Sequence, residues 1–168
     1  EEHYDLVAIP VETYTAKRSY EISIGFVRRG VQTILGGYHV TLIPEEASLY
    51  ATSICKRNAE GVWAEILKDA KVGRLKPVYE AQPGVSHPYV IPNRKIFGSR
   101  DYFKLSCVET GRGCPLHCNF CSIAAATSST YNSRAIDSVI ADIASLKNKN
   151  VFFVEDNFVG DKRHIKQL

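Results

Sequence analysis

"ETGRGCPLHCNFCSI", Glu109 to Ile123, holds three of the chain's five cysteines, spaced C-x3-C-x2-C. A four-iron cluster bound by four thiolates is coordinatively closed and mainly passes electrons. Three thiolates leave one iron with an open position for a small ligand. The same distinction separates catalytic from structural zinc sites. The corners of such a cluster are close together, so one tight loop can supply its ligands. Gly111 and Gly113 relieve backbone crowding on the way in, and Pro115 stiffens the turn after the first thiol. Spacing alone leaves a structural zinc site open, with Cys107 or His117 as a fourth ligand.

Outward from this loop the sequence alternates strand and helix. Upstream, "YFKLSCV" (Tyr102 to Val108) reads as a strand. Downstream, Ile136, Val139, Ile140, Ile143 and Leu146 recur on one helical face, and "NVFFVEDNF" supplies a strand over Val151 to Val154 that ends in two carboxylates. That is a βαβ unit.

The first part of the chain repeats the pattern. "YDLVAIPV" (Tyr4 to Val11) is a buried strand. A helix follows, capped by Thr13 or Thr15, with Ala16, Tyr20, Ile24 and Val27 inward and Gly30 stopping it. "VQTIL" is a second strand, closed by Gly36-Gly37. Pro44, Glu45 and Glu46 open a short helix, and "TSIC" is a third strand. From Ala59 a helix buries Val62, Trp63, Ile66, Leu67 and Ala70 and ends near Gly73. Strand and helix in strict alternation predict a parallel sheet. Residues 74–104 hold four of the seven prolines and no sustained period, so they read as a linker. The expected division is 1–73, a linker over 74–104, and 105–168.

Composition narrows the class. Apolar residues make up 45% and charged residues 23% of the 168 residues, which fits a globular chain. The apolar runs are too short to span a bilayer, and no signal-peptide pattern opens the sequence, so a cytoplasmic protein without membrane contact is expected. A net charge of +3 with mixed signs does not indicate nucleic acid. An odd, clustered set of five cysteines argues for metal or redox chemistry over a disulfide framework. The absence of Met and the abrupt ends predict a piece of a longer protein. Cys107 and Cys55 are expected to be small buried hydrophobes.

"CPLHCNFC", with an aromatic residue just before the last cysteine, resembles the cluster loop of the radical S-adenosylmethionine superfamily. The leading "TGRGCP" is similar to members with a cobalamin-binding domain upstream. "DLVAIPVETY", "GGYHVTLIPEEA" and "AEGVWAEILKDAKVGRLKPVYE" resemble the second half of that domain and the junction after it. "SRAIDSVIADIASLKNKNVFFVEDNFVGD" resembles the first helix and second strand of the family's barrel. The resemblance implies an α/β chain: the C-terminal half of a Rossmann-like (flavodoxin-like) parallel sheet, then the first βα units of a partial (β/α) barrel.

It also implies an iron–sulfur enzyme. Cys114, Cys118 and Cys121 would hold a [4Fe-4S] cluster whose open iron binds S-adenosyl-L-methionine, which is reductively cleaved to a 5′-deoxyadenosyl radical. Cobalamin is a further implied cofactor, as methyl carrier of a methyltransferase, and a reductant such as flavodoxin or ferredoxin an implied partner. Phe120 would sit near the adenine, and Glu155 or Asp156 near the cosubstrate's amino group. Gly36, Gly37 and His39, at a strand end, are candidates for a nucleotide-like tail; equally, a glycine pair serves any tight turn and His39 could be structural. The substrate is not named by the sequence. A zinc-binding interaction module and an electron-transfer iron–sulfur protein are the rival readings.

Overall fold

Short apolar runs separated by glycine stops build a four-stranded, wholly parallel sheet in the first of two compact units, Glu1–His87 and Pro88–Leu168. The computed structural model describes residues 4–82, 89–97, 105–127, 129–148 and 150–168. The start of the strand expected at Tyr102, and two of the linker prolines, Pro83 and Pro88, lie outside the described residues.

The first unit runs β1 (Leu6–Pro10), α1 (Ala16–Val27), β2 (Gln32–Gly36), α2 (Tyr38–Leu42), α3 (Pro44–Ser48), β3 (Ser53–Lys56), α4 (Trp63–Lys71) and β4 (Val78–Glu80). The strands lie in the order β1-β2-β3-β4, so each is followed in space by the next in sequence. The register pairs Ile34 with Ser53 and Leu35 with Ile54, and then Cys55 with Tyr79. Alternate residues therefore feed opposite faces. Leu35 and Ile54 join Val11, Ala16, Tyr20, Val40 and Ala47 in one core cluster; Ile34, Cys55 and Tyr79 join Ile66 in the other. Helices cover both faces, which is why these parallel strands read as apolar runs without alternation.

Three expectations need correction here. Helix α1 turns Ser19 and Ser23 inward beside Ala16 and Tyr20, while Val27 is exposed. Two buried hydroxyls make this possible: Ser23 Oγ donates to Thr33 Oγ1 at 2.8 Å. Thr15 stands at the N-cap position of α1, but its side chain makes no capping bond to the helix. A 3-10 turn over Thr13–Thr15 precedes it, with Glu12 and Thr15 bonding reciprocally as a capping box. In α4 only Ile66 and Ala70 are buried, and Trp63 and Leu67 lie at the surface. The stretch read as a linker also contributes to the fold. It supplies β4, held parallel to β3, with Tyr79 buried at its centre.

The second unit contains β5 (Ser106–Val108), β6 (Gly111–Gly113), α5 (Ser122–Thr127), β7 (Tyr131–Ser133), α6 (Ile136–Ala144), β8 (Val151–Phe153) and α7 (Lys162–Gln167). β5 and β8 pair in parallel across α6, the βαβ unit the sequence predicts. β6 and β7 form an antiparallel pair that it does not. Val139 of α6 is fully buried and Ile140 is exposed; the buried companion of Val139 is Asp142. Cys55 is buried as expected, but Cys107 points outward from β5 and is exposed. Among the described residues no helix is long and apolar enough to cross a membrane.

Candidate functional site

The three clustered thiols occupy the loop between β6 and α5. Cys114 follows β6 at once and Cys121 directly precedes α5, so regular structure grips both ends of the loop. Cys121 N–H donates to the Cys118 carbonyl at 3.2 Å, a tight turn between the last two thiols. All three are half-buried and free of disulfides. Phe120, between them, is 88% exposed.

Gly113 is the residue that the loop's entry requires. Its φ is +90°, and a Cβ there would lie 2.1 Å from the Thr130 carbonyl oxygen of the neighbouring strand end. Gly111 and Gly160 leave room for the Tyr131 ring, which a Cβ at either would strike. Burial, and then the neighbouring Glu155, push the Tyr131 phenol above its usual range.

The segment after β8 clamps this entry residue by residue. Glu155 Oε1 accepts from the Thr110 backbone N–H at 2.8 Å and also from the Thr110 hydroxyl. Asp156 Oδ2 accepts from the Gly113 N–H at 2.9 Å. Asn157 Nδ2 donates to Cys114 Sγ at 3.4 Å. Glu109 and Arg112 add a two-pronged bond, both contacts at 2.8 Å, across the turn between β5 and β6.

A buried ionic network lies behind the clamp. Asp142, fully buried, accepts from Arg134 at 3.0 Å and Arg94 at 2.6 Å. Arg134 also donates to the Glu109 carbonyl, and Arg94 to the Cys107 carbonyl. The Arg134 guanidinium stacks 3.4 Å from the Tyr89 ring centroid. Burial raises the Asp142 carboxyl, but Arg94 and Arg134 outweigh it and hold the group below the usual carboxylate range.

The structure therefore brings Cys114, Cys118, Cys121, Asp156 and Glu155 to one neighbourhood. Glu155 points at Thr110, with its second oxygen buried, whereas Asp156 is exposed. Sequence reasoning missed Asn157, Thr110 and Arg134. It had a signal for Asp142, which stands three residues after Val139 on the apolar face and so calls for a cationic partner.

Gly36, Gly37 and His39 belong to the first unit, at the carboxyl end of β2. Gly37 has φ +102°, and a Cβ on it would lie 2.8 Å from the Val11 carbonyl oxygen, so the pair makes a close turn against β1's exit. His39 is buried, with Nδ1 3.2 Å from Thr13 Oγ1 and Nε2 3.0 Å from Tyr20 Oη. Burial, with Glu46 adding to it, pushes the Tyr20 phenol up to about 12, so it stays a neutral partner for the imidazole.

Among the described residues no three His, Cys, Asp or Glu side chains converge on a single metal-ion position. Free, half-buried thiols from one loop, with an N–H donor already aimed at the first sulfur, fit a cluster's demands.

No protein-family model matches the chain. It is 30% identical to the bacteriochlorophyllide d C-12(1)-methyltransferase of Chlorobaculum tepidum across 98% of its own length. It is 34% identical to the C-8(2)-methyltransferase of the same organism across 70%, and 31% identical to an uncharacterized methyltransferase of Synechocystis across 83%. The chain spans 39%, 28% and 27% of these relatives' lengths. These relatives are enzymes, all methyltransferases. The fold is similar to that of the radical S-adenosylmethionine methyltransferase TsrM from Kitasatospora setae, solved with a tryptophan substrate and an S-adenosylmethionine analogue. The TM-score is 0.71 at 18% identity, over 99% of this chain and 40% of that one.

Proposed function

We propose that the chain is the cluster-bearing part of a radical S-adenosylmethionine methyltransferase, with Cys114, Cys118 and Cys121 as the three ligands of a [4Fe-4S] cluster. The observation that carries this reading is the loop between β6 and α5: three free thiols on one loop, with Asp156 and Asn157 bonded to its entry. When bound, the cluster supplies an electron and an open coordination position.

The chain's own residues then bind and orient. The exposed Phe120 ring is available to lie against an adenine, and the exposed Asp156 carboxylate stands beside the loop where a cosubstrate ammonium needs a counter-charge. Glu155 is a positioning residue, since its bonds to Thr110 fix the turn from which the loop springs.

The first unit is read as the C-terminal half of a Rossmann-like cobalamin-binding domain. Four parallel strands in sequential order, covered on both faces, are what one side of such a sheet looks like. Its carboxyl edge, with Gly36, Gly37 and His39, is where a cofactor tail would lie. The second unit is read as the opening βα units of a barrel, and a cytoplasmic flavodoxin or ferredoxin as the electron donor.

The test is anaerobic reconstitution with iron and sulfide. The expected result is about four irons per chain and an EPR signal of the reduced cluster that shifts when S-adenosylmethionine is added. Cys118→Ala should abolish that signal. Stoichiometric zinc without iron would overturn the proposal, and a signal indifferent to the cosubstrate would favour an electron carrier.

A further inference from the structure

The clamp contains one bond aimed at a sulfur. Asn157 Nδ2 donates to Cys114 Sγ at 3.4 Å across 43 residues of sequence. The orientation of this amide is fixed by its other end. Asn157 Oδ1 accepts the Val159 backbone N–H at 3.2 Å, and only the oxygen can do so, which turns the NH2 group to the thiol. The Asn157 carbonyl accepts the Gly160 N–H at 3.0 Å, closing the same turn. Gly160 in turn is packed against Tyr131, where a Cβ would come within 2.8 Å of the ring. The amide is thus held by its own turn and does not depend on the sulfur for its position.

From this geometry we infer that Asn157 sets the reduction potential of the cluster through an N–H···S bond to the Cys114 ligand, a positioning and tuning role that neither the cysteine spacing nor the comparisons assign. The inference rests on the cluster reading above. The amide donor places partial positive charge against a thiolate sulfur. Reduction adds one electron to the cluster and makes its sulfurs more negative, so the bond is stronger in the reduced state and raises the potential. Hydrogen bonds to charged groups are strong enough for a modest difference between the two states to be measurable.

Two variants separate the bond from its surroundings. Asn157→Asp keeps an acceptor for Val159 N–H but has no donor for the sulfur. Asn157→Leu has no donor and adds no charge. The measurement is a redox titration of the reduced-cluster EPR signal in wild type and both variants, with iron content determined in each. The expected result is a lower midpoint in both, about tenfold in the reduction equilibrium, or ~59 mV for one electron, at wild-type iron content. Asp should fall at least as far as Leu. Wild-type potential in Asn157→Leu overturns the inference, because a fall in Asp alone is an effect of added charge. If wild type itself takes up no iron, the proposed function fails, and the inference falls with it. If wild type carries the cluster and Asn157→Leu titrates like it, only the inference fails.

Discussion

Asp156 Oδ2 accepts the backbone N–H of Gly113 at 2.9 Å, joining the segment after β8 to the residue just before Cys114. The bond fixes the backbone at the first thiol, so its loss should loosen the cluster without unfolding the sheet beneath. Asp156→Ala is expected to lower iron affinity about 10–100-fold, the usual effect of losing an outer-shell partner. Asp156→Asn keeps an acceptor oxygen and should retain most of it. Chelator competition on reconstituted protein measures both. Equal retention in all three proteins would show that the contact does not hold the loop.

Gly113 and Gly30 both have positive φ, +90° and +80°, but differ in what a side chain would meet. Gly30→Ala faces open space and should cost only the left-handed backbone penalty, about 1–2 kcal/mol. Gly113→Ala meets the Thr130 carbonyl oxygen at 2.1 Å, a backbone atom that cannot swing aside. It should destabilise the second unit by more than that penalty and separate β6 from β7. Hydrogen exchange reads the two units independently: Gly30→Ala should raise exchange in α1 and β2, and Gly113→Ala in β6 and β7.

Asp142 carries the pH dependence of the second unit. Arg94 and Arg134 hold its carboxyl below the usual range despite burial. A group whose pKa falls on folding adds stability above its unfolded value, about 3.9, and loses it as pH drops through the lower folded value. The second unit should therefore keep this contribution at neutral pH and give it up below about pH 4. Asp142→Asn leaves Arg134 buried and partly unpaired and should cost about 3–5 kcal/mol. Its acid limb should also be shallower than that of wild type. An unchanged acid limb in Asp142→Asn would mean that other carboxylates set it.

How much of this was readable in advance follows from how local each signal is. Strands β1, β2 and β3 and helices α1, α4 and α6 announce themselves through runs or periods within a few residues. β4 has only three residues inside a proline-bearing stretch, and becomes a strand because β3 offers it an edge. β6 is Gly-Arg-Gly, with no strand propensity at all; its partner Tyr131–Ser133 arrives only after the cysteine loop and α5. The three cysteines could be singled out because their spacing is local. The clamp was not, since Glu155, Asp156 and Asn157 meet Thr110, Gly113 and Cys114 from 43 to 45 residues away. "VEDNF" gave two carboxylates at a strand end but no hint that the next residue, an asparagine, touches a sulfur.

The five cysteines should divide by chemistry in a way that alkylation can read. Cys55 is buried on β3, and burial, with Glu60 adding to it, pushes its thiol up to about 11. Only the thiolate attacks, and at pH 8 about one Cys55 in a thousand would be ionised. Cys107 is exposed and the three loop thiols are half-exposed. Iodoacetamide on the iron-free chain should therefore modify Cys107, Cys114, Cys118 and Cys121 and spare Cys55 until urea opens the first unit. After reconstitution with iron and sulfide the pattern should contract to Cys107 alone, because thiolates bound to iron are withdrawn from reaction. Peptide mass spectrometry distinguishes the outcomes. Labelling of Cys55 in step with Cys107 would contradict its burial between β2 and β4. Protection of Cys107 along with the loop would make it a ligand, and would return the site to the closed, four-thiolate class that only carries electrons.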